Sequence, residues 1–177
     1  MYMAQESSTV CCNVAEHIRL IREANLPIRK VEFINECLYD VDFSGMDLTG
    51  AIFQDCALEN CNFENSVLNE ANFNSSNLMD CKFTGADVQL ATFYNATVKM
   101  CDFKNCNFAE AALQFATFRE TDLSDSTFAE ADIFDTAFVS CPVFGTEFTE
   151  AKNLNNAVFS TLIGAKVPDW YCNIIPR

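Results

Sequence analysis

From Phe33 to Phe148 a large apolar residue stands at every fifth position: Phe33, Leu38, Phe43, Leu48, Phe53 and so on, all of them Phe, Leu, Val or Ile. The residue two places earlier is small, as in Ala51, Cys56, Cys61, Ser66 and Ala71 and onward to Ala151. Only the first four such slots depart from this, with Val31, Glu36, Val41 and Met46. The other three positions of each five carry mainly Asp, Asn, Glu, Gly, Ser and Thr. A period of five is neither the two of a strand nor the 3.6 of a helix, so it marks an internal repeat. Residues two apart on an extended segment share a face, so the small and the large residue both point inward. The polar remainder suits a turn.

Ala71-Asn72-Phe73, Ala86-Asp87-Val88 and Ala131-Asp132-Ile133 nearly reproduce A(D/N)LXX, and about residues 31–150 resemble the pentapeptide repeat family on that motif. The resemblance implies an all-β solenoid, a right-handed quadrilateral β-helix in which four repeats close one coil. Residues 20 apart then stack at about 4.8 Å, and six coils make a rod roughly 29 Å long. The expected division is an N-terminal tail and capping helix over 1–30, the β-helix over 31–165, and a C-terminal tail over 166–177. No inserted loop interrupts residues 33–150, where many quinolone-resistance members of the family carry one.

That stacking gives meaning to a slip in the pattern. Up to Phe103 the Phe residues fall in two opposite columns, Phe33/53/73/93 and Phe43/63/83/103. From Phe108 they occupy the other pair, Phe108/128/148 and Phe118/138. A square interior with room for two rings per level requires such an exchange, so it is read as a change of packing phase.

The ends follow other rules. Asn13 and Glu16 resemble a capping box, and Val14, Ile18 and Ile21 mark one face of a helix up to Asn25 and Pro27. That short N-terminal α-helix is expected to cover the open first coil. Near the other end the frame slips by one residue to Leu154 and Phe159. Beyond it, Trp170, Tyr171, Ile174 and Ile175 are expected either to cap the last coil or to form an oligomer contact, a homodimer through the C-terminal end.

Charge narrows the function. Residues 31–150 hold 21 acidic and 4 basic side chains, so the rod carries −17 while the whole chain carries −14. Direct nucleic-acid binding and attachment to an anionic membrane are not expected. No apolar signal core opens the sequence, so the expected location is cytoplasmic. Six of the ten cysteines (Cys56, Cys61, Cys81, Cys101, Cys106, Cys141) fill the small inward slot, where Cys acts as a modest hydrophobe. The alternative for the Cys61/Cys81/Cys101 ladder is a metal site, but its side chains run parallel and do not converge on a tetrahedral centre. No metal and no cofactor is expected. Cys11, Cys12, Cys37 and Cys172 lie outside that slot.

His17 is the only histidine, which excludes His-based dyads and triads along the rod. The chain reads as a non-enzyme, with two candidate partner-binding surfaces. An acidic face carries Asp47, Glu70, Asp87, Glu110, Glu130, Glu147 and Glu150, with no Lys or Arg within its repeats. An apolar patch is expected from Tyr94, Phe115 and Phe134. The expected function is a protein–protein interaction module with a protein partner. The alternative implied by the resemblance is a DNA mimic that binds a type II topoisomerase or another DNA-binding protein.

Overall fold

The computed structural model describes residues 6–23 and 28–161, with side chains from residue 14 onward. Helix α1 (Glu6–Glu23) precedes seven three-residue strands: β1 (Cys37–Tyr39), β2 (Ala57–Glu59), β3 (Asn77–Met79), β4 (Thr97–Lys99), β5 (Thr117–Arg119), β6 (Ala137–Val139) and β7 (Val158–Ser160). The strands form one parallel sheet in chain order. Their register is 20 residues from β1 to β6, as in Leu38↔Leu58 and Val98↔Phe118. Isolated parallel bridges on the other three faces keep the same 20-residue step, as in Asp42↔Asn62, Asp47↔Val67 and Ile52↔Asn72. The chain is therefore a four-faced parallel all-β solenoid.

Its interior is packed with side chains. Phe43, Phe53, Phe63, Phe73, Phe83, Phe93, Phe103, Phe108, Phe118, Phe128 and Phe138 are fully buried. Rings stack along each column, at 4.8 Å for Phe53–Phe73 and 4.6 Å for Phe63–Phe83. Facing columns meet edge to face, as in Phe43–Phe53 at 5.6 Å and 81°. At the predicted change of phase the contacts turn oblique: Phe103–Phe108 lies at 40° and Phe93–Phe108 at 51°. Regular stacking then resumes at Phe108–Phe128, 4.5 Å.

Two backbone devices close each coil. The fifth residue of nearly every repeat lies in the left-handed region, including Asn35, Asp55, Glu110, Phe115 and Glu130, with φ between 56° and 63°. On three faces the Asp or Asn before the central residue accepts the N–H of the residue two places on, as in Asn72 to Asn74 (2.9 Å) and Asp122 to Ser124 (3.0 Å). That bond is the physical content of the D/N in the motif. On the strand face the same position holds Cys37, Ala57, Asn77, Thr97, Thr117 and Ala137, of which only Asn77 is of the motif's D/N type. In the inward slot, Ser126, Thr136 and Thr146 donate to main-chain carbonyls 23 residues back, at 2.6 to 2.8 Å. Cys56 and Cys106 direct their thiols the same way, at 3.0 and 2.9 Å.

The ends differ from expectation in one respect. Helix α1 starts at Glu6, so Asn13 lies inside it and does not cap it. Asn is only a mild helix breaker, and the residues before it continue the helix. Ile18 is buried against the first coil, with Val14 and Ile21 packed beside it. The frame slip appears as Phe138↔Phe159, 21 residues apart, absorbed by left-handed Asn153 and a 3₁₀ turn at Leu154–Asn156.

Three expectations follow. Phe73→Ala leaves a ring-sized cavity and lowers stability by about 3–5 kcal/mol. Ala91→Leu overpacks a column of buried alanines and lowers it by about 1–3 kcal/mol; thermal melts that barely move for both variants contradict the coil register.

The thiols give a second test. Burial pushes Cys56 and Cys141 up to about 11 and Cys106 up to about 12. The neighbouring Cys101 thiol, more than burial, pushes Cys81 up to about 12. Labelling of the native protein should reach few of the ten cysteines, and chelators should leave the melting temperature unchanged.

The third test is acid. Burial pushes the Asp122 carboxyl up, but bonds from Ser124 and the Lys104 ammonium outweigh it, so the group sits below the usual carboxylate range. A carboxyl depressed in the fold contributes stability above its unfolded value of about 3.9, lost as pH falls through the folded value. Melting temperature should drop as pH falls below about 4, and Asp122→Asn should flatten that drop.

Candidate functional site

Two surfaces rise from the coil geometry, one on the acidic face and one along the next edge of the rod. On the acidic face the seven predicted carboxylates separate into two kinds. Asp47, Asp87 and Glu147 share one bridge column, with Val67, Asn107 and Thr127 between them. Glu70, Glu110, Glu130 and Glu150 occupy a left-handed corner column, at φ of 56–61°. Glu110, Glu130 and Glu150 are consecutive in that column and exposed.

The bridge-column aspartates serve the fold as well. Asp47 accepts from Thr49 (2.6 Å) and from Arg29 Nε (2.6 Å). The Thr49 hydroxyl, then Arg29, holds its carboxyl below the ordinary range. Asp87 accepts from the Gln89 N–H and from Asn107 Nδ2, at 3.3 and 3.0 Å. The face therefore does not lack cations at its N-terminal end, since Arg29 reaches it from outside the repeats. Lys30 lies against the same edge, with its Cγ 3.4 Å from where a Cβ on Gly50 would stand. Among the described residues Glu70, Glu110, Glu130, Glu147 and Glu150 form no ion pair.

The apolar trio assembles as the spacing predicts. Tyr94 and Phe134 stand two coils apart in one outward column, and Phe115 sits at the adjoining corner between them. Ring centroids are 5.5 Å apart for Tyr94–Phe115 and 5.5 Å for Phe115–Phe134, both at 77°. Tyr94 is 49% and Phe115 44% exposed, and Phe134 is half-buried. Leu90 and Phe144 are also exposed, but neither makes a ring contact with the trio. Trp170, Tyr171, Ile174 and Ile175 lie outside the described residues.

A third feature escapes the repeat arithmetic. An apolar cleft of about 310 Å³ opens between α1 and the first coil, lined by Val14, His17, Ile18, Ile21, Ile28, Val31 and Phe33. The helix face Val14/Ile18/Ile21 and the irregular Val31 were its only signals in the sequence. His17 is exposed at its rim, with no acidic or nucleophilic side chain among the lining residues. Among the described residues no group of three or more His, Cys, Asp or Glu could hold a metal ion. No helix among them is long and apolar enough to cross a membrane.

Comparison with known proteins agrees with this geometry. No curated protein matches the chain. Among solved structures it is similar to QnrB1, a plasmid-mediated fluoroquinolone resistance protein, at 20% identity over 79% of this chain and 80% of that one, TM-score 0.43. It is also similar to HetL, a protein involved in heterocyst differentiation regulation from the cyanobacterium Nostoc sp. strain PCC 7120, at 17% identity over 80% and 75%, TM-score 0.38. A third is Rfr23 from the cyanobacterium Cyanothece 51142, at 14% identity over 81% and 98%, TM-score 0.41. None of these likenesses bears on what this chain binds. The family description "Pentapeptide repeat region" matches residues 37–113 and "Pentapeptide repeats (8 copies)" matches residues 101–138, more than half of the chain between them. With its coils, corners and inward columns in place, the chain belongs to the pentapeptide repeat family.

Proposed function

We propose that the chain is a non-catalytic protein-interaction module whose working part is the anionic rod. One observation carries this reading. The rod holds a net −17 on residues 31–150, and six coils at about 4.8 Å span roughly 29 Å. The axial charge density is therefore about one negative charge per 1.7 Å, equal to that of duplex DNA at about 1.7 Å. The interior, filled by buried Phe and Leu, offers a substrate no room. Recognition then falls to the outer faces, and a cationic protein surface is the complement of such a field.

The same density favours a second reading in which the partner is a protein that ordinarily grips DNA. A type II topoisomerase is the partner to test first, because it holds duplex DNA on a cationic surface. The corner column Glu110/Glu130/Glu150 is the densest one-signed row on the acidic face and supplies the contact in either case.

Gyrase supercoiling, with and without quinolone, tests the mimic. Micromolar protein should alter the reaction, and the triple change Glu110→Lys, Glu130→Lys and Glu150→Lys should abolish the effect. No change from the unaltered protein retires the mimic. The broader reading is then tested by affinity capture from the native cell: a charge-reversed bait that retains the same cationic proteins as the unaltered one removes the acidic face from consideration.

A further inference from the structure

The Tyr94/Phe115/Phe134 edge is built in a way that the coil does not require. Its corner column reads Asn35, Asp55, Ser75, Asn95, Phe115, Asp135, all with positive φ. Five of the six are short polar residues that tolerate the left-handed region, whereas a bulky side chain there is a strained outlier. Phe115 bears that strain at φ 63° and leaves its ring exposed, wedged between Tyr94 and Phe134. Neither core packing nor turn chemistry accounts for it.

A second anomaly lies on the adjoining strand face. Lys99 and Arg119 are direct partners in the β4–β5 register, so two like charges are stacked one coil apart. Neither forms an ion pair among the described residues, although Glu120 follows Arg119 in sequence. Thr97 and Thr117, on the same two strands, separate these cations from the aromatic edge. On a rod with 21 acidic and 4 basic side chains, half of the basic ones stand on the strand face that adjoins this ring ladder.

We propose that this edge docks an amphipathic helix of a partner protein, with an apolar stripe flanked on one side by carboxylates. The kind of element follows from geometry. On the sides of the rod the main chain is already paired coil to coil, so strand addition has no open edge to use. Tyr94, Phe115 and Phe134 occupy three successive levels spread over two coils, about 9.6 Å along the rod, close to the rise of about 10.8 Å of two α-helical turns. A helix lying along the rod brings one apolar residue per turn to each ring. Carboxylates one turn apart on its flank then meet Lys99 and Arg119, which are one coil apart. The inference rests on the reading of the chain as an interaction module, but it uses a different surface from the acidic face.

A displayed library of amphipathic helices with randomised flanks, selected on the full chain, tests it. Enriched clones should carry Asp or Glu on one flank and bind at least tenfold more weakly to Phe115→Ser and to a Lys99→Glu/Arg119→Glu variant. Melts matching the parent protein show that both variants are folded; Ser already occupies this corner column at Ser75. Failure to enrich, or enriched clones that bind both variants undiminished, overturns the proposal. A parent protein that light scattering finds dimeric and Phe115→Ser finds monomeric also overturns it, by giving the edge to a second copy. The Glu110/Glu130/Glu150 reversal leaves Phe115 untouched, so failure of the acidic-face reading is separable from failure of this one.

Discussion

Four faces closing after 20 residues leave an interior that admits two rings and two aliphatic side chains at each level, and the rest of the molecule answers to that cross-section. Rings on opposite faces interlock edge to face, as Phe53 does with Phe63 at 5.5 Å and 88°. Each also stacks on the ring one coil away. A ring column therefore cannot end alone: when Phe103 is followed by Phe108, both columns must pass to the other pair of faces together. The oblique contacts of Phe93 and Phe103 with Phe108 are the seam of that exchange. The small slot two places before each centre is fixed by the same limit, since the corner beside a ring has room for Ala, Ser, Thr or Cys.

Once the interior is settled, the outward positions divide by how much the coil demands of them. On three faces an Asp or Asn before the centre is tied to the turn by a side-chain bond, and every corner must accept positive φ. Asp, Asn, Gly and Ser meet those demands at little cost. Residues that meet neither demand stand out as decisions about the surface. Phe115, Leu90 and Met100 are apolar residues at strained corners, and all three belong to the third to fifth coils.

Much of this is legible in the sequence, because a strict period converts residue number directly into position. The inward columns, the change of ring phase, the slip at Leu154 and the meeting of Tyr94, Phe115 and Phe134 all follow from counting in fives and twenties. What counting misses involves contacts that leave the repeat frame. Arg29 reaches Asp47 from the segment before the first full repeat, so the N-terminal end of the acidic face is less one-sided than its repeats imply. Asp47 and Asp87 are surface charges by spacing, yet both also secure turns. The helix start and the cleft beneath it depend on how α1 packs against irregular first-coil residues, for which no period exists.

The remaining question is how so dense a charge is tolerated by the fold. Among the described residues only Lys104 bridges two rod carboxylates, Asp102 and Asp122, at 3.3 and 3.2 Å. Several other aspartates are bonded by an amide of a neighbouring coil. Asn60 donates to Asp40 at 2.5 Å, Asn107 to Asp87 at 3.0 Å, and Gln114 and Asn153 both donate to Asp132 at 2.7 Å. A lysine in those places would supply the same bond and cancel the charge, whereas an amide supplies the bond and leaves the charge in place. Where an amide intervenes, as Asn60 does between Asp40 and Asp80, it also keeps those aspartates two coils apart, which weakens their repulsion. The rod thus solvates these aspartates from within the ladder and leaves their charge in place, which is the property that the proposed recognition of a cationic partner requires.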